Sequence, residues 1–117
     1  MQRMWRATIN SWAGLKAAAR SEAAFREELV TLAASIPLAF YITQLAWKRL
    51  ALVGVILLLI VVELLNTAIE KLSDHVTPTP HPEIGRIKDM TSAAVGIALL
   101  IAGCAWLLAI AEWLGFI

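Results

Sequence analysis

One segment places a carboxylate inside a stretch that otherwise has the composition of a membrane span: LALVGVILLLIVVELLNTAIEKLSD, residues 50–74. Thirteen uncharged residues, Leu50–Val62, precede Glu63, and apolar residues continue after it. As a helix, the uncharged run covers only about 20 Å, whereas continuing through Glu63 to about residue 70 covers the ~30 Å of bilayer hydrocarbon. The sequence therefore predicts a transmembrane helix that contains an acidic residue.

The polar residues of this segment share one face of the predicted helix. With 3.6 residues per turn, all of them fall within an arc of about 100°. They are Glu63, Asn66, Thr67, Glu70 and Asp74. A charged side chain at bilayer depth costs roughly 2.5 kcal/mol or more, so a functional role is the default hypothesis. The structural alternative is a Glu63 that is protonated or paired with Asn66 or with a neighbouring chain, and that holds helices together.

Two further stretches are long enough to cross a bilayer. Residues 29–47 are uncharged for 19 residues, and residues 90–111 are uncharged for 22. With the acidic segment, they predict three transmembrane helices at residues 29–47, 50–72 and 90–114. An interfacial amphipathic helix is predicted at residues 1–26, because Trp5, Ile9 and Trp12 are spaced to share one face of a helix. The predicted fold is thus an all-α membrane protein with a single domain, residues 1–117.

Charge and composition limit the possible functions. The chain is 60% hydrophobic and 16% charged, which is low for a soluble domain, and its net charge of +1 gives no case for nucleic-acid binding. Eight basic residues precede the first predicted span or flank the loop at 73–89, whereas only Lys48 and Arg49 lie between the first two spans. Positive-inside bias therefore predicts a cytoplasmic N-terminus.

Three blocks of the sequence, in this order, resemble the bacterial membrane-integral diacylglycerol kinase family: SWAGLKAAARSEAAFREE (11–28), VELLNTAIEKLSD (62–74) and GRIKDMTSAAV (85–95). The resemblance covers nearly the whole chain. It implies a homotrimer of the bacterial inner membrane that transfers the γ-phosphate of MgATP to the hydroxyl of diacylglycerol, giving phosphatidate at the cytoplasmic face. Some relatives phosphorylate undecaprenol, so this lipid alcohol is an alternative acceptor.

The resemblance also implies roles for individual residues. Glu63 matches the catalytic base that takes the lipid hydroxyl proton, and Asn66 would position the reacting groups beside it. Glu22 and Glu70 match the carboxylates that bind the Mg²⁺ ions on ATP. The complete set of implied nucleotide-site residues is Arg3, Glu22, Glu28, Glu70, Lys88 and Asp89, with Lys88 at the phosphates. These residue types suit phosphoryl transfer, which needs positioning, charge neutralisation and a proton acceptor.

This chain departs from the family pattern at two positions, since Thr91 stands in place of a usual Gly and His75 in place of a usual Arg. Three spans do not easily surround a deep site, so a composite pocket between chains is expected. The sequence also allows two functions from other classes. A small proton-coupled transporter would use an intramembrane Glu but leaves Glu70, Asp74 and Lys88 unexplained, and a non-enzymatic helix-packing subunit leaves the whole polar stripe unexplained.

Overall fold

The computed structural model describes residues 1–117 and consists of four α-helices. They are α1 (Gln2–Ser21), α2 (Ala23–Ile42), α3 (Ala46–Val76) and α4 (Pro82–Trp113). The prediction of an all-α fold is therefore confirmed. Two of the helices, α3 and α4, are long and apolar enough to cross a membrane. The shorter α2 carries three charged residues, Arg26, Glu27 and Glu28, in its first turns.

Helix α3 forms the centre of the fold, with α2 and α4 packed against it. Two apolar clusters join the helices, and small alanines let the backbones approach closely. The first contains Ala18, Phe25, Ile56, Ile60 and Ala102, and the second contains Ala39, Leu52 and Ala109. Only 14 of the 117 residues are buried, so large apolar side chains are left exposed along every helix. Such faces are typical of contact with lipid or with further protein.

The junction between α1 and α2 is a single extended residue. Glu22 has φ −121° and ψ 114°, so α1 ends at Ser21 and α2 begins at Ala23. The predicted surface helix of residues 1–26 is therefore too long. Arg26 stabilises the break, because its Nη1 donates to the carbonyl oxygen of Ala19 at 2.8 Å, near the end of α1, where backbone carbonyls lack helical partners.

The connection between α2 and α3 contradicts the predicted span 29–47, which is not one helix. Helix α2 ends at Ile42, and Thr43 is extended. Arg49 supports this end, since its Nε donates to the Thr43 carbonyl oxygen at 2.9 Å and its Nη2 to that of Phe40 at 3.4 Å. Lys48 and Arg49 consequently lie in the first turn of α3 and not in a loop.

The connection between α3 and α4 is shorter than the predicted loop at 73–89. Only residues 77–81 lie outside the helices, so α3 extends past its predicted 50–72 and α4 begins before its predicted 90. The prolines do not prevent this start, because Pro82 occupies the first helical turn, where no backbone N–H is required. His81 caps the helix, with its Nδ1 accepting from the Glu83 N–H at 3.1 Å.

Candidate active site

The polar stripe of α3 runs along one continuous helix, as the periodicity predicts. Its first members are buried, with Glu63 and Thr67 each 8% exposed, whereas Glu70 and Asp74 are exposed. Asn66 lies between these extremes and is half-buried. The stripe therefore leads from a buried carboxylate on α3 to solvent-accessible carboxylates about two and three turns later.

Three further carboxylates lie near enough to Glu63 for electrostatic coupling, although no three acidic side chains are close enough together to hold a metal ion by themselves. The negative charges of Glu70 and Glu22 act on the Glu63 carboxylate, and Glu63 in turn acts on that of Glu28. Glu22 comes from the α1–α2 junction, Glu28 from α2, and Glu63 and Glu70 from α3. We call these four residues the acidic cluster. The sequence-predicted carboxylates are thus brought together although up to 48 positions separate them in the chain.

Two oxygen atoms at this place are buried and have no hydrogen-bond partner, Oε2 of Glu28 and Oδ1 of Asn66. An unpaired buried acceptor typically costs about 1–3 kcal/mol, so such atoms are rare in folded proteins. Both atoms are hydrogen-bond acceptors and both can bind a cation. The site is therefore short of positive charge or of hydrogen-bond donors, which a ligand could provide.

Two lysines near this end of the molecule are already paired with carboxylates. Lys88 on α4 binds Asp74 on α3, with its Nζ 2.6 Å from Oδ1, and Lys71 on α3 lies 3.7 Å from Oε1 of Glu22. Asp89 is exposed and takes part in no ion pair. Of the two residues predicted to contact a nucleotide from α4, one therefore holds α4 to α3 and the other is free.

The structure does not bring Arg3 to the acidic cluster of its own chain. Arg3 lies in the first turn of α1 and is exposed, with no ion pair to any carboxylate. Nineteen residues of helix separate it from Glu22, which corresponds to roughly 28 Å if α1 is straight. Within one chain, Arg3 therefore lies far from the Glu22 carboxylate, at the opposite end of α1.

The donor set fits a divalent cation only together with another ligand. No group of three or more His, Cys, Asp or Glu side chains is arranged to hold a metal ion. Mg²⁺ prefers octahedral oxygen coordination and is commonly bound by one or two carboxylates, with phosphate oxygens and water completing the shell. Glu22 and Glu70 can therefore supply the protein's share for a metal–phosphate complex, but the chain provides no complete metal cage.

A cavity of about 480 Å³ lies between α1 and α3, next to the acidic cluster. Its walls combine apolar or small side chains with three hydroxyls and one ammonium group. The lining residues are Ser11, Gly14, Leu15, Ala17, Ala18, Ser21, Leu64, Thr67, Ala68 and Lys71. Thr67 belongs to the polar stripe, so the cavity adjoins the same face of α3. Its mixed walls suit a ligand with an apolar body and a polar end.

Comparison with known proteins places this arrangement in a family. A family model described as prokaryotic diacylglycerol kinase matches residues 9–110. A diacylglycerol kinase of Escherichia coli is 40% identical over 104 residues, which cover 89% of this chain and 85% of that protein. The chain belongs to the prokaryotic diacylglycerol kinase family. A Pseudomonas aeruginosa diacylglycerol kinase is 41% identical over 106 residues, 91% of this chain and 86% of that protein. A diacylglycerol kinase of Haemophilus influenzae is 38% identical over 99 residues, which cover 85% of this chain and 84% of that protein.

Membership of the prokaryotic diacylglycerol kinase family confirms the predicted resemblance and the prediction of an enzyme, since this is a family of lipid kinases. It does not support a transporter or a non-enzymatic packing subunit. Together with the two membrane-capable helices, it identifies a membrane protein. The match includes every predicted site residue except Arg3, which precedes residue 9.

Two side-chain contacts near the site are not predicted from the sequence. In the sequence, Lys71 is only one of the eight basic residues that indicate orientation, whereas in the structure it contacts Ser21 and Glu22. Thr91, where the family usually has Gly, folds its Oγ1 back onto the Lys88 carbonyl oxygen at 2.9 Å. The hydroxyl of Thr91 is therefore satisfied within α4. Periodicity could indicate neither contact, because both depend on how side chains turn once the helices are packed.

Proposed function

We propose that this chain is a diacylglycerol kinase that transfers the γ-phosphate of MgATP to the free hydroxyl of diacylglycerol and releases phosphatidate and ADP. The observation that carries this proposal is the gathering of Glu22, Glu28 and Glu70 around a buried Glu63. The most similar relatives described above are named diacylglycerol kinases, which supports diacylglycerol as the acceptor. Undecaprenol is the alternative acceptor.

Glu63 is the proposed catalytic base. It lies two turns of α3, about 10 Å, from the exposed Glu70, at a depth suited to the glycerol hydroxyl of a lipid. Glu63 accepts the hydroxyl proton while the lipid oxygen bonds to the γ-phosphorus and the bond from that phosphorus to the ADP oxygen breaks. A positioned base typically contributes 10²–10⁴-fold to such a step. Asn66, one turn along with a free Oδ1, orients the reacting groups.

Glu22 and Glu70 are the proposed Mg²⁺ ligands. When bound, the ion neutralises the charge of the phosphates and fixes their orientation. Glu28 contributes an unpaired oxygen to the same region. Lys88 and Asp89, at the cytoplasmic end of α4, are the proposed contacts to the nucleotide, with Lys88 directed to the phosphates.

The proposed setting is the bacterial inner membrane, with α2, α3 and α4 spanning it and the N-terminus and active site on the cytoplasmic side. Helix α1 then lies in the membrane interface. This orientation is supported by the eight-to-two distribution of basic residues and by the exposure of Trp5 (67%), Ile9 (50%) and Trp12 (62%) on α1. An acceptor lipid in the inner leaflet would reach the acidic cluster without leaving the bilayer.

The proposed assembly is a homotrimer with sites formed between chains. It is supported by the roughly 28 Å between Arg3 and its own Glu22, since Arg3 can then serve the acidic cluster of a neighbouring chain. It is also supported by the exposed apolar faces of α2 and α4, for example Val30 (69%), Leu38 (51%) and Leu107 (70%). A neighbouring chain would cover part of this surface.

The test is phosphate transfer by purified protein in detergent micelles with radiolabelled ATP, Mg²⁺ and either diacylglycerol or undecaprenol. We expect label in phosphatidate, none without a divalent cation, and little in undecaprenyl phosphate. Preferential labelling of undecaprenol would show that undecaprenol is the acceptor, and the assignment as a lipid kinase would stand. Label in neither lipid above a Glu63→Gln control would overturn the proposal.

A further inference from the structure

Lys71 is the only basic side chain that forms an ion pair with a member of the acidic cluster. Its Nζ donates a hydrogen bond to Oγ of Ser21 at 3.2 Å and lies 3.7 Å from Oε1 of Glu22. Lys71 follows Glu70 directly in the chain. One lysine thus connects the part of α3 that carries one proposed metal ligand to the junction that carries the other.

The contact to Lys71 is the only ion pair of the Glu22 side chain. Glu22 is the extended residue between two helices, and no other side chain pairs with its carboxylate. Ser21 is the last residue of α1, and no other side chain of α3 hydrogen bonds to α1 or to the junction. Without Lys71, nothing polar holds the Glu22 side chain toward α3.

The geometry leaves Glu22 able to bind a cation while Lys71 holds it. A separation of 3.7 Å is an ion pair without a short hydrogen bond, and it involves only Oε1. Oε2 of Glu22 remains available, and the lysine side chain is 58% exposed, so it can adjust when a ligand enters. Lys71 also lines the cavity between α1 and α3, with Ser21 and Thr67.

We propose that Lys71 is a positioning residue of the kinase, which holds the Glu22 carboxylate against α3 so that Glu22 and Glu70 meet at one metal–nucleotide complex. This inference rests on the proposed function. The opposite role is that the lysine ammonium occupies the place of the metal ion and competes with it. The two roles predict opposite effects on metal binding when the Lys71 charge is removed: weaker binding if Lys71 positions Glu22, and tighter binding if it competes with the metal ion.

The test measures metal binding directly, with the full-length protein in micelles, a non-hydrolysable ATP analogue and Mn²⁺ followed by electron paramagnetic resonance. Lys71→Met should weaken Mn²⁺ binding about 2- to 5-fold, the range that an exposed ion pair provides. Lys71→Arg should restore most of it. Lys16→Met, which removes an equal charge from a lysine that packs over Trp12 and touches no carboxylate, should leave Mn²⁺ binding unchanged. Unchanged or tighter binding in Lys71→Met overturns the proposal.

A second measurement separates positioning from general damage to the fold. Hydrogen exchange should accelerate in Lys71→Met at the backbone N–H of Glu22, which donates to the Ala18 carbonyl oxygen, while protection of α4 stays unchanged. Ser21→Ala should produce part of this effect. In kinase assays, the KM for MgATP should rise more than kcat falls. A wild-type protein that transfers no phosphate would refute the proposed function, whereas an active wild type with a normal Lys71→Met would refute only this inference.

Discussion

Lys88 of α4 and Asp74 of α3 form an ion pair, with the lysine Nζ 2.6 Å from the Asp74 Oδ1. The pair joins the two longest helices at the ends that flank residues 77–81. Both side chains are accessible, at 38% and 63%, so the pair contributes only about 0.2–1 kcal/mol to folding. Separating Lys88 from Asp74, as the proposed contact to a nucleotide phosphate requires, therefore costs little.

Asp74→Asn should lower the KM for ATP about 2- to 5-fold, because Lys88 no longer has to exchange one partner for another. The unfolding free energy should change by less than about 1 kcal/mol. Steady-state kinetics and thermal unfolding in micelles check both expectations. Glu83→Gln, which removes the comparably exposed pair with Arg86, is the matched control and should leave the KM unchanged. A Lys88→Met variant should have a raised KM for ATP. An equal rise in Asp74→Asn would show that Asp74 itself contributes to ATP binding.

Asn66→Leu should stabilise the fold and abolish most activity. The amide Oδ1 is buried without a partner, and leucine has a similar volume with no polar atom to bury. We expect the unfolding free energy to rise by about 1 kcal/mol while kcat falls at least tenfold. Thermal unfolding in micelles and the phosphate-transfer assay measure the two effects on one sample. A variant that is less stable and fully active would show that Asn66 has a structural role only.

Trp106→Phe should change stability without changing the chemistry. Its Nε1 donates to the Leu52 carbonyl oxygen at 3.0 Å and so joins α4 to α3, about five helical turns along α3 from Glu70. Hydrogen bonds between membrane helices contribute about 0.6 kcal/mol on average, so we expect a loss of that order. Unfolding in micelles measures the loss, and the KM for MgATP should stay within twofold of the wild type. A large rise in KM would connect this contact to the site.

Much of α3 could be predicted from sequence, because one helix carries the whole pattern. The period of Glu63, Asn66, Thr67 and Glu70 depends only on helical geometry, and the helix continues through the carboxylate as expected. These features are local, so a single sequence contains them.

The rest depends on contacts that a linear pattern does not record. Helix α2 ends at Ile42, where Arg49 binds the Thr43 carbonyl oxygen. The sequence does not indicate this contact, because Thr43 lies within the predicted span 29–47 and Arg49 just after it. Helix α4 begins earlier than predicted because Pro82 starts this helix. A proline in a sequence can equally follow the end of the preceding helix, so the pattern alone does not decide between the two. The approach of Glu22 and Glu28 to Glu63 was implied only by the family resemblance, because periodicity does not give the packing of α1 and α2 on α3.

Mixed oligomers test whether sites are shared between chains. Arg3 is remote from its own acidic cluster, so combining inactive Arg3→Ala and Glu63→Gln chains should regenerate intact sites, roughly a quarter of them at equal mixing. From sequence alone, a pocket shared between chains predicts partial recovery for the pair Glu22→Ala and Glu63→Gln as well. Because Glu22 and Glu63 couple within one chain, this pair becomes the matched control and should recover nothing. Activity of subunits mixed, unfolded and reassembled in micelles is the measurement. Equal recovery in both mixtures, or none in the first, would contradict this arrangement.

The most direct test of the proposed mechanism is the rate of phosphate transfer to diacylglycerol by Glu63→Gln, measured in a single turnover with saturating MgATP. The amide keeps the shape of the side chain but cannot accept the hydroxyl proton. We expect the rate to fall by at least 10²-fold, while the affinity for a non-hydrolysable ATP analogue stays within a few-fold of the wild type. A Glu63→Gln protein that transfers phosphate at the wild-type rate would contradict the assignment of Glu63 as the base.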